Sequence, residues 1–407
     1  MSSHRQYVED LVADTDSLHS ESRTLIYGYF FEQPDRGVAA ALECALDGTD
    51  RTVVSYGAEY LSFLPGHRAE KTRVGERLRT EAKLLPAVSA LLPWLPRELV
   101  RGYVEDYLEA RSAGREWPSL VYDVGVEWPG VLREYSSRFA GDATVELAVL
   151  AGAPDSLADE HFENWRATGE ETWLLSLAAM RTERAAGHLA TARAELADPE
   201  PWDTELEFAG RLPGGNAPAG PWPAYRGFVL ALGESPHSVG GTAPEVPVCE
   251  ECELPGAVLL RLAAADLPYG FERDPAFYWY GCDCDEEDSL TTKERESGLE
   301  AYGVPLGPPE DDVELAPGPR SLVLEQLGHR HGVSLDGLPG FAAHQVGGLP
   351  NWLEKRAHPR CPECESAMPH AATVDSGRTP FGDMRFEGVL YCFWCDPCGV
   401  GTTVHQT

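Results

Sequence analysis

The chain has 407 residues, 43% hydrophobic and 24% charged, so it can bury two or three domain cores and is not wholesale disordered. Its 33 Lys and Arg stand against 66 Asp and Glu, a formal charge of −33. A surface this acidic repels phosphate and disfavours sequence-independent nucleic-acid binding. The acidity is spread along the chain: residues 1–235 carry −16 and the shorter stretch 236–407 carries −17. No run of 18 apolar residues and no apolar signal core appear, so the expectation is a cytoplasmic, soluble protein with no membrane span.

The first 210 residues read as helical. An Ala-rich helix is expected over Gly37–Leu46. After Pro96, Val100, Tyr103, Val104, Tyr107 and Leu108 recur on one helical face, and Gly114 marks its end. A second long amphipathic stretch runs from about Glu170 to Ala197, interrupted by Arg181. Between these, Arg68, Lys71, Arg73, Arg77, Arg79 and Lys83 alternate with Glu70, Glu76 and Glu81. That is the pattern of a helix surface laced with i,i+4 ion pairs, rather than a nucleic-acid footprint with interleaved aromatics. A bundle or a stack of helix pairs is the expected form for 1–210.

A Gly/Pro-rich break over 211–226 reads as a linker, since no Gly-Lys-Ser/Thr follows to make a phosphate loop. Beyond it the texture turns to short β-rich runs at Ala257–Leu262, Phe277–Tyr280, Gly388–Trp394 and Thr402–His405. A second break, acidic and Pro-rich, covers 303–320. The expected fold class is therefore α+β. An N-terminal α-helical domain precedes a C-terminal duplicated zinc-ribbon-like β domain, with repeat 1 over 227–302 and repeat 2 over 321–407.

The cysteines carry the strongest signal. Cys44 stands alone, and the other nine fall at or after Cys249. Cys249-Glu-Glu-Cys252 is followed by Cys282-Asp-Cys284, and Cys361-Pro-Glu-Cys364 by Cys395-Asp-Pro-Cys398. Two such pairs of turns supply the eight thiolates of two closed, tetrahedral Zn²⁺ sites, two structural zinc ions per chain. The tighter Cys282-x-Cys284 spacing leaves room for Asp283, Asp285 or a distant His to replace one ligand of the first site.

The two halves match beyond cysteine. His237-Ser-Val-Gly-Gly241 corresponds to His344-Gln-Val-Gly-Gly348, Glu253 to Glu365, and Tyr269-Gly270 to Phe381-Gly382. Tyr278-Trp-Tyr-Gly-Cys282 corresponds to Tyr391-Cys-Phe-Trp-Cys395. The offset stays between 107 and 114 positions throughout, the mark of an internal duplication. In that register Cys392 aligns with Trp279, so it is a packing residue, and Cys44 in an apolar helical run reads as a small buried hydrophobe.

Gly347-Gly348-Leu-Pro350-Asn-Trp352-Leu-Glu, Cys361-Pro-Glu-Cys364, Met368 and Tyr391-Cys-Phe-Trp-Cys395 together resemble the C-terminal-like family of programmed cell death protein 2 and its bacterial relatives. The resemblance covers the last 65 or so residues and, through the duplication, about 170. His370-Ala-Ala-Thr-Val stands where the family has a leucine-leucine-glutamine strand. The resemblance implies a non-catalytic chaperone of a ribosomal protein, with Gly347, Gly348, Pro350 and Trp352 forming the turn into the first ribbon of the repeat.

Signatures of catalysis are missing: there is no Gly-x-Ser-x-Gly elbow, His-Glu-x-x-His helix or Gly-x-Gly-x-x-Gly fingerprint. His329-Arg-His331 reads as a solvated turn. The sequence therefore points to a protein-binding module for a basic partner (a chaperone, adaptor or antitoxin-like inhibitor). The competing expectation is a zinc-dependent hydrolase or transferase that uses the irregular first site.

Overall fold

The structure is a computed structural model. It describes residues 3–14, 25–30, 37–213, 217–220, 224–230, 235–241, 243–282, 284, 289–309, 320–328, 344–354, 358–376, 384 and 386–407.

Helices occupy the described residues up to Ala209, packed around two separate cores. The first core runs from Val8 to Val149 and the second from Ala153 to Ala209. The expected helices form at Gly37–Asp47 and Arg97–Ser112, the latter opened by Pro96 and followed by Gly114 at φ 66°. The long stretch after Glu170 is two helices, Thr172–Met180 and Glu183–Glu195. Arg181, at φ 50°, breaks it, and the Thr182 side chain caps the second helix by accepting from Ala185 N–H at 3.2 Å.

The Arg181 break has a purpose. Its guanidinium, only 7% exposed, donates to Phe208 O at 2.9 Å, Asn351 Oδ1 at 2.6 Å and Pro350 O at 2.7 Å. The kink thus ties the second helical core to repeat 2. A second junction forms around Trp94, which packs on Phe228 at 4.8 Å between ring centroids. The Lys71 ammonium lies 4.7 Å from the Trp94 ring, and burial pushes it down to about 7. Arg68 pairs with Glu325 at 2.5 Å. The basic stretch is therefore a set of inter-element ties more than a self-paired surface. Arg77–Glu81 is an i,i+4 pair, but Arg79 reaches Asp106 on another helix.

Thirteen strands follow among the described residues: β1 (Ala224–Leu230), β2 (Ser238–Val239), β3 (Val246–Pro247), β4 (Ala257–Arg261), β5 (Ala276–Trp279), β6 (Ser289–Arg295), β7 (Gly298–Ala301), β8 (Leu306–Gly307), β9 (Arg320–Gln326), β10 (Gln345–Gly347), β11 (His370–Asp375), β12 (Val389–Cys395) and β13 (Val400–Gln406). All but β3 and β8 join one antiparallel sheet of order β5-β4-β2-β9-β1-β10-β11-β12-β13-β6-β7. The sheet curls until β5 faces β13: a Cβ placed on Gly401 would lie 2.7 Å from Ala276 O, and Phe277 meets Trp394 edge-on. The enclosed core draws on both repeats.

The duplication is visible in this order. β2, β4 and β5 of repeat 1 correspond to β10, β11 and β12 of repeat 2. The first strands are exchanged: β1 pairs with β10, and β9 with β2, while β1 and β9 lie antiparallel at the centre. The expectation of two ribbons set apart by linkers is thus replaced by one shared sheet. The boundary placed at 226 falls inside β1, and residues 217–220 pack onto repeat 2, with Ala219 O accepting from His370 N–H at 2.7 Å. Within the second expected linker, Leu306–Gly307 form β8 and hold β3 beside Cys249; residues 310–319 lie outside the described residues. Gly and Pro mark a turn locally, but nothing local reports which distant strand a segment will join.

The Arg181 junction gives a first prediction. Arg181→Met leaves Pro350 O and Phe208 O without their charged donor, and the expected loss is about 3 kcal/mol of unfolding free energy. Urea denaturation of the full chain measures it, and an unchanged midpoint would show that the tie contributes nothing.

Candidate metal centres

Three of the four cysteine turns are built alike. Glu253 N–H donates to Cys249 O at 3.0 Å, Glu365 N–H to Cys361 O at 2.8 Å, and Gly399 N–H to Cys395 O at 2.8 Å. Each donor residue lies in the left-handed region, at φ 60°, 59° and 66°. That conformation is free for Gly399 but costs a residue with a Cβ about 1–2 kcal/mol. Two of the four described non-glycine residues with positive φ therefore occupy the same place in the two repeats. The turn is a requirement of the site.

What the turn achieves is electrostatic. It aims the backbone N–H of Leu254 at the Cys252 sulfur, and that of Ser366 at the Cys364 sulfur. These donors hold the Cys252 thiol below its ordinary value and bring Cys364 down to about 7. The neighbouring thiols move the other way. Burial pushes Cys282 up to about 12 and raises Cys395, and the Cys252 sulfur beside Cys284 raises that thiol.

Cys249, Cys252, Cys282 and Cys284 converge in one group, and Cys361, Cys364, Cys395 and Cys398 in the other, with all sulfurs of a group within 4.8 Å of one another. Cys364 Sγ lies 3.7 Å from Cys395 Sγ. A tetrahedral ion with metal–sulfur bonds of ~2.3 Å requires sulfurs ~3.8 Å apart. The donor set fits a thiophilic divalent ion such as zinc. The first centre reaches this arrangement despite its shorter second turn, and all four expected cysteines belong to it. Asp283 and Asp285 lie outside the described residues, as do His329, His331 and the Phe381-Gly382 pair.

Carboxylates from within the cysteine turns tie the second centre to repeat 1. Glu363, inside the Cys361–Cys364 turn, accepts from Lys293 Nζ at 2.7 Å, Tyr302 Oη at 2.9 Å and Arg295 Nη2 at 3.1 Å. All three donors lie on or beside the β6–β7 hairpin, and the Lys293 bond leads in holding the Glu363 carboxyl below the usual range. Asp396, inside the Cys395–Cys398 turn, accepts from the backbone N–H of Glu272 at 3.0 Å and from Trp394 Nε1 at 3.1 Å. Trp352 stacks on Phe393 and closes the apolar side of this centre with Met368.

Sequence reasoning did not find these ties, nor the role of the paired histidines. His237 Nδ1 accepts from Ala263 N–H at 3.0 Å and His344 Nδ1 from Asp375 N–H at 3.3 Å, each beyond the end of the neighbouring β4 or β11 strand or at its last residue. The repeat register carried the signal, because equivalent histidines outside any ligand spacing suggest a shared structural bond. The two spare cysteines behave as expected. Cys44 is fully buried in the first helical core and burial pushes its thiol up to about 12; Cys392 is fully buried on β12 and its thiol is also raised.

Two predictions follow from this geometry. Cys395→Ser removes one metal equivalent per chain by elemental analysis, whereas Cys392→Ser removes none; loss of metal from the latter would overturn the repeat register. Glu363→Gln keeps the turn's shape but weakens its tie to Lys293, and speeds metal loss from the second centre to a competing chelator by about 10-fold. An unaltered release rate would make the tie incidental to metal retention. Comparison adds nothing to these sites: no family model, no curated protein and no solved structure matches the chain.

Proposed function

We propose that the chain is a non-catalytic, zinc-stapled module that captures a basic protein. The observation that carries this reading is the pair of four-cysteine groups in a chain of formal charge −33. Four thiolates fill the coordination sphere of zinc and leave no position for substrate or water, which is the habit of structural sites. Two zinc ions with eight thiolates would move the charge from −33 to about −37. Each such site typically brings ~10–16 kcal/mol of apparent binding free energy at neutral pH, comparable with a domain's whole stability. Zinc here acts on the fold, and the surface does the recognising.

An acidic field repels itself in the free protein but speeds encounter with a positively charged partner. The resemblance to the programmed cell death protein 2 family favours a chaperone role toward a ribosomal protein; an adaptor or an inhibitor of a basic toxin uses the same electrostatics. The hydrolase or transferase alternative needed an open ligand position at the first centre, and the convergence of Cys249, Cys252, Cys282 and Cys284 weighs against it.

Affinity capture with the full chain from its native host identifies the partner, and the association rate of the purified pair is then followed against salt. The rate should fall about 10-fold or more between 10 mM and 150 mM ionic strength, as the screening length contracts to ~8 Å. A salt-independent rate, or an acidic partner, would overturn the reading.

A further inference from the structure

The helical region and the sheet do not meet flush. A cleft of about 90 Å³ opens between helix Arg51–Ser62, helix Val121–Glu127, strand β1 and the two ends of the His344–Asp375 contact. Four carboxylates line it, Glu59, Asp123, Glu127 and Asp375, against a single guanidinium, Arg226, which pairs with Glu127 at 3.2 Å. The rest of the wall is mixed: Phe63, Val126 and Phe228 give it an apolar side, and Ser62, Ser89, Tyr122 and His344 add polar groups.

We propose that this junction cleft takes one lysine or arginine side chain from an extended segment of the basic partner. The inference rests on the reading above and gives it a location. Size decides against a nucleotide or cofactor, which needs roughly 300–1,000 Å³. A cleft of about 90 Å³ suits the head and stem of one side chain. Chemistry decides the sign. The lining carries four carboxylates against one guanidinium and the His344 imidazole, so a cation entering it meets a net negative wall in a partly desolvated setting, where charges interact more strongly than in bulk water. The walls also match the two parts of such a side chain, carboxylates for the head and Phe63, Val126 and Phe228 for the methylene stem.

The place matters as much as the chemistry. The lining comes from the first helical core, from β1 of the exchanged pair and from both ends of a repeat 2 contact. A side chain seated there touches all three parts of the molecule, so its binding would strengthen the junction that Trp94 and Phe228 begin.

The test uses the full chain with its metal and pentalysine as probe, titrated calorimetrically at 50 mM and 150 mM salt. Asp123→Asn/Asp375→Asn removes two cleft charges with little change of shape. Glu163→Gln/Glu170→Gln removes two exposed charges on the second helical core and controls for the general field. Metal content and melting temperature confirm that both variants fold. The expected result is at least a 10-fold loss of affinity for the cleft variant, less than a 2-fold loss for the control, and loss of binding when the peptide lysines are acetylated. Equal losses in both variants would overturn the cleft while leaving acid-driven capture intact. No pentalysine binding to the unaltered chain would overturn the reading itself. Spermidine binding more tightly than pentalysine, with the same dependence on Asp123 and Asp375, would make the cleft a free polyamine site and overturn the proposal of a partner segment. If the cleft variant fails to fold, Glu59→Gln alone replaces it against the same expectation.

Discussion

Four thiols within 4.8 Å of one another cannot all ionise unless something positive sits among them. The proton leaves readily where backbone N–H groups stand ready, as at Cys364, whereas burial raises the Cys395 and Cys398 thiols beside it. A divalent ion would reverse this, and the β half brings two such four-thiol groups together. Short strands, left-handed glutamates and turns of three or four residues make a poor core by themselves. Drawn together at two four-sulfur points, they form part of a single curled sheet.

The same constraint explains where polar side chains are committed. Glu363 and Asp396 sit between clustered cysteines, yet neither carboxylate belongs to the thiol group; each reaches outward to repeat 1. The cysteine turns of repeat 2 are therefore clamped from within by sulfur and from without by carboxylate bonds. His237 and His344 do equivalent work at the strand ends, accepting a backbone N–H that the sheet ladder leaves over.

Much of this was legible in the sequence, for a physical reason. Groups able to hold a metal need a particular residue type at a fixed spacing, so the two four-cysteine groups announced themselves. Helical periodicity likewise located Arg97–Ser112 to within a residue or two. The parts that were not legible depend on distance. Arg181 looked like a blemish in one long helix, because its partners Pro350 and Asn351 lie some 170 positions away. The start of β1 looked like the end of a linker, because Ala224–Leu230 becomes a strand only by pairing with β9 and β10. Lys71 and Arg68 looked like members of a helix surface laced with i,i+4 ion pairs, because nothing local revealed the Trp94 ring against them.

The strand exchange also sets an order of events as the chain leaves the ribosome. β1 is synthesised early, but Ala224 pairs with Gly347 and Tyr225 with Gln326, so its ladder partners emerge about a hundred residues later. β2 waits in the same way for Arg320 and Ser321. Until then, neither repeat can close, and its strand edges stay available to the wrong neighbour. The part of β1 that can be sheltered sooner is Phe228, since the helical region bearing Trp94 is already complete. The helices thus precede the sheet in time as well as in sequence, and they can guard its central strand while the second half is made.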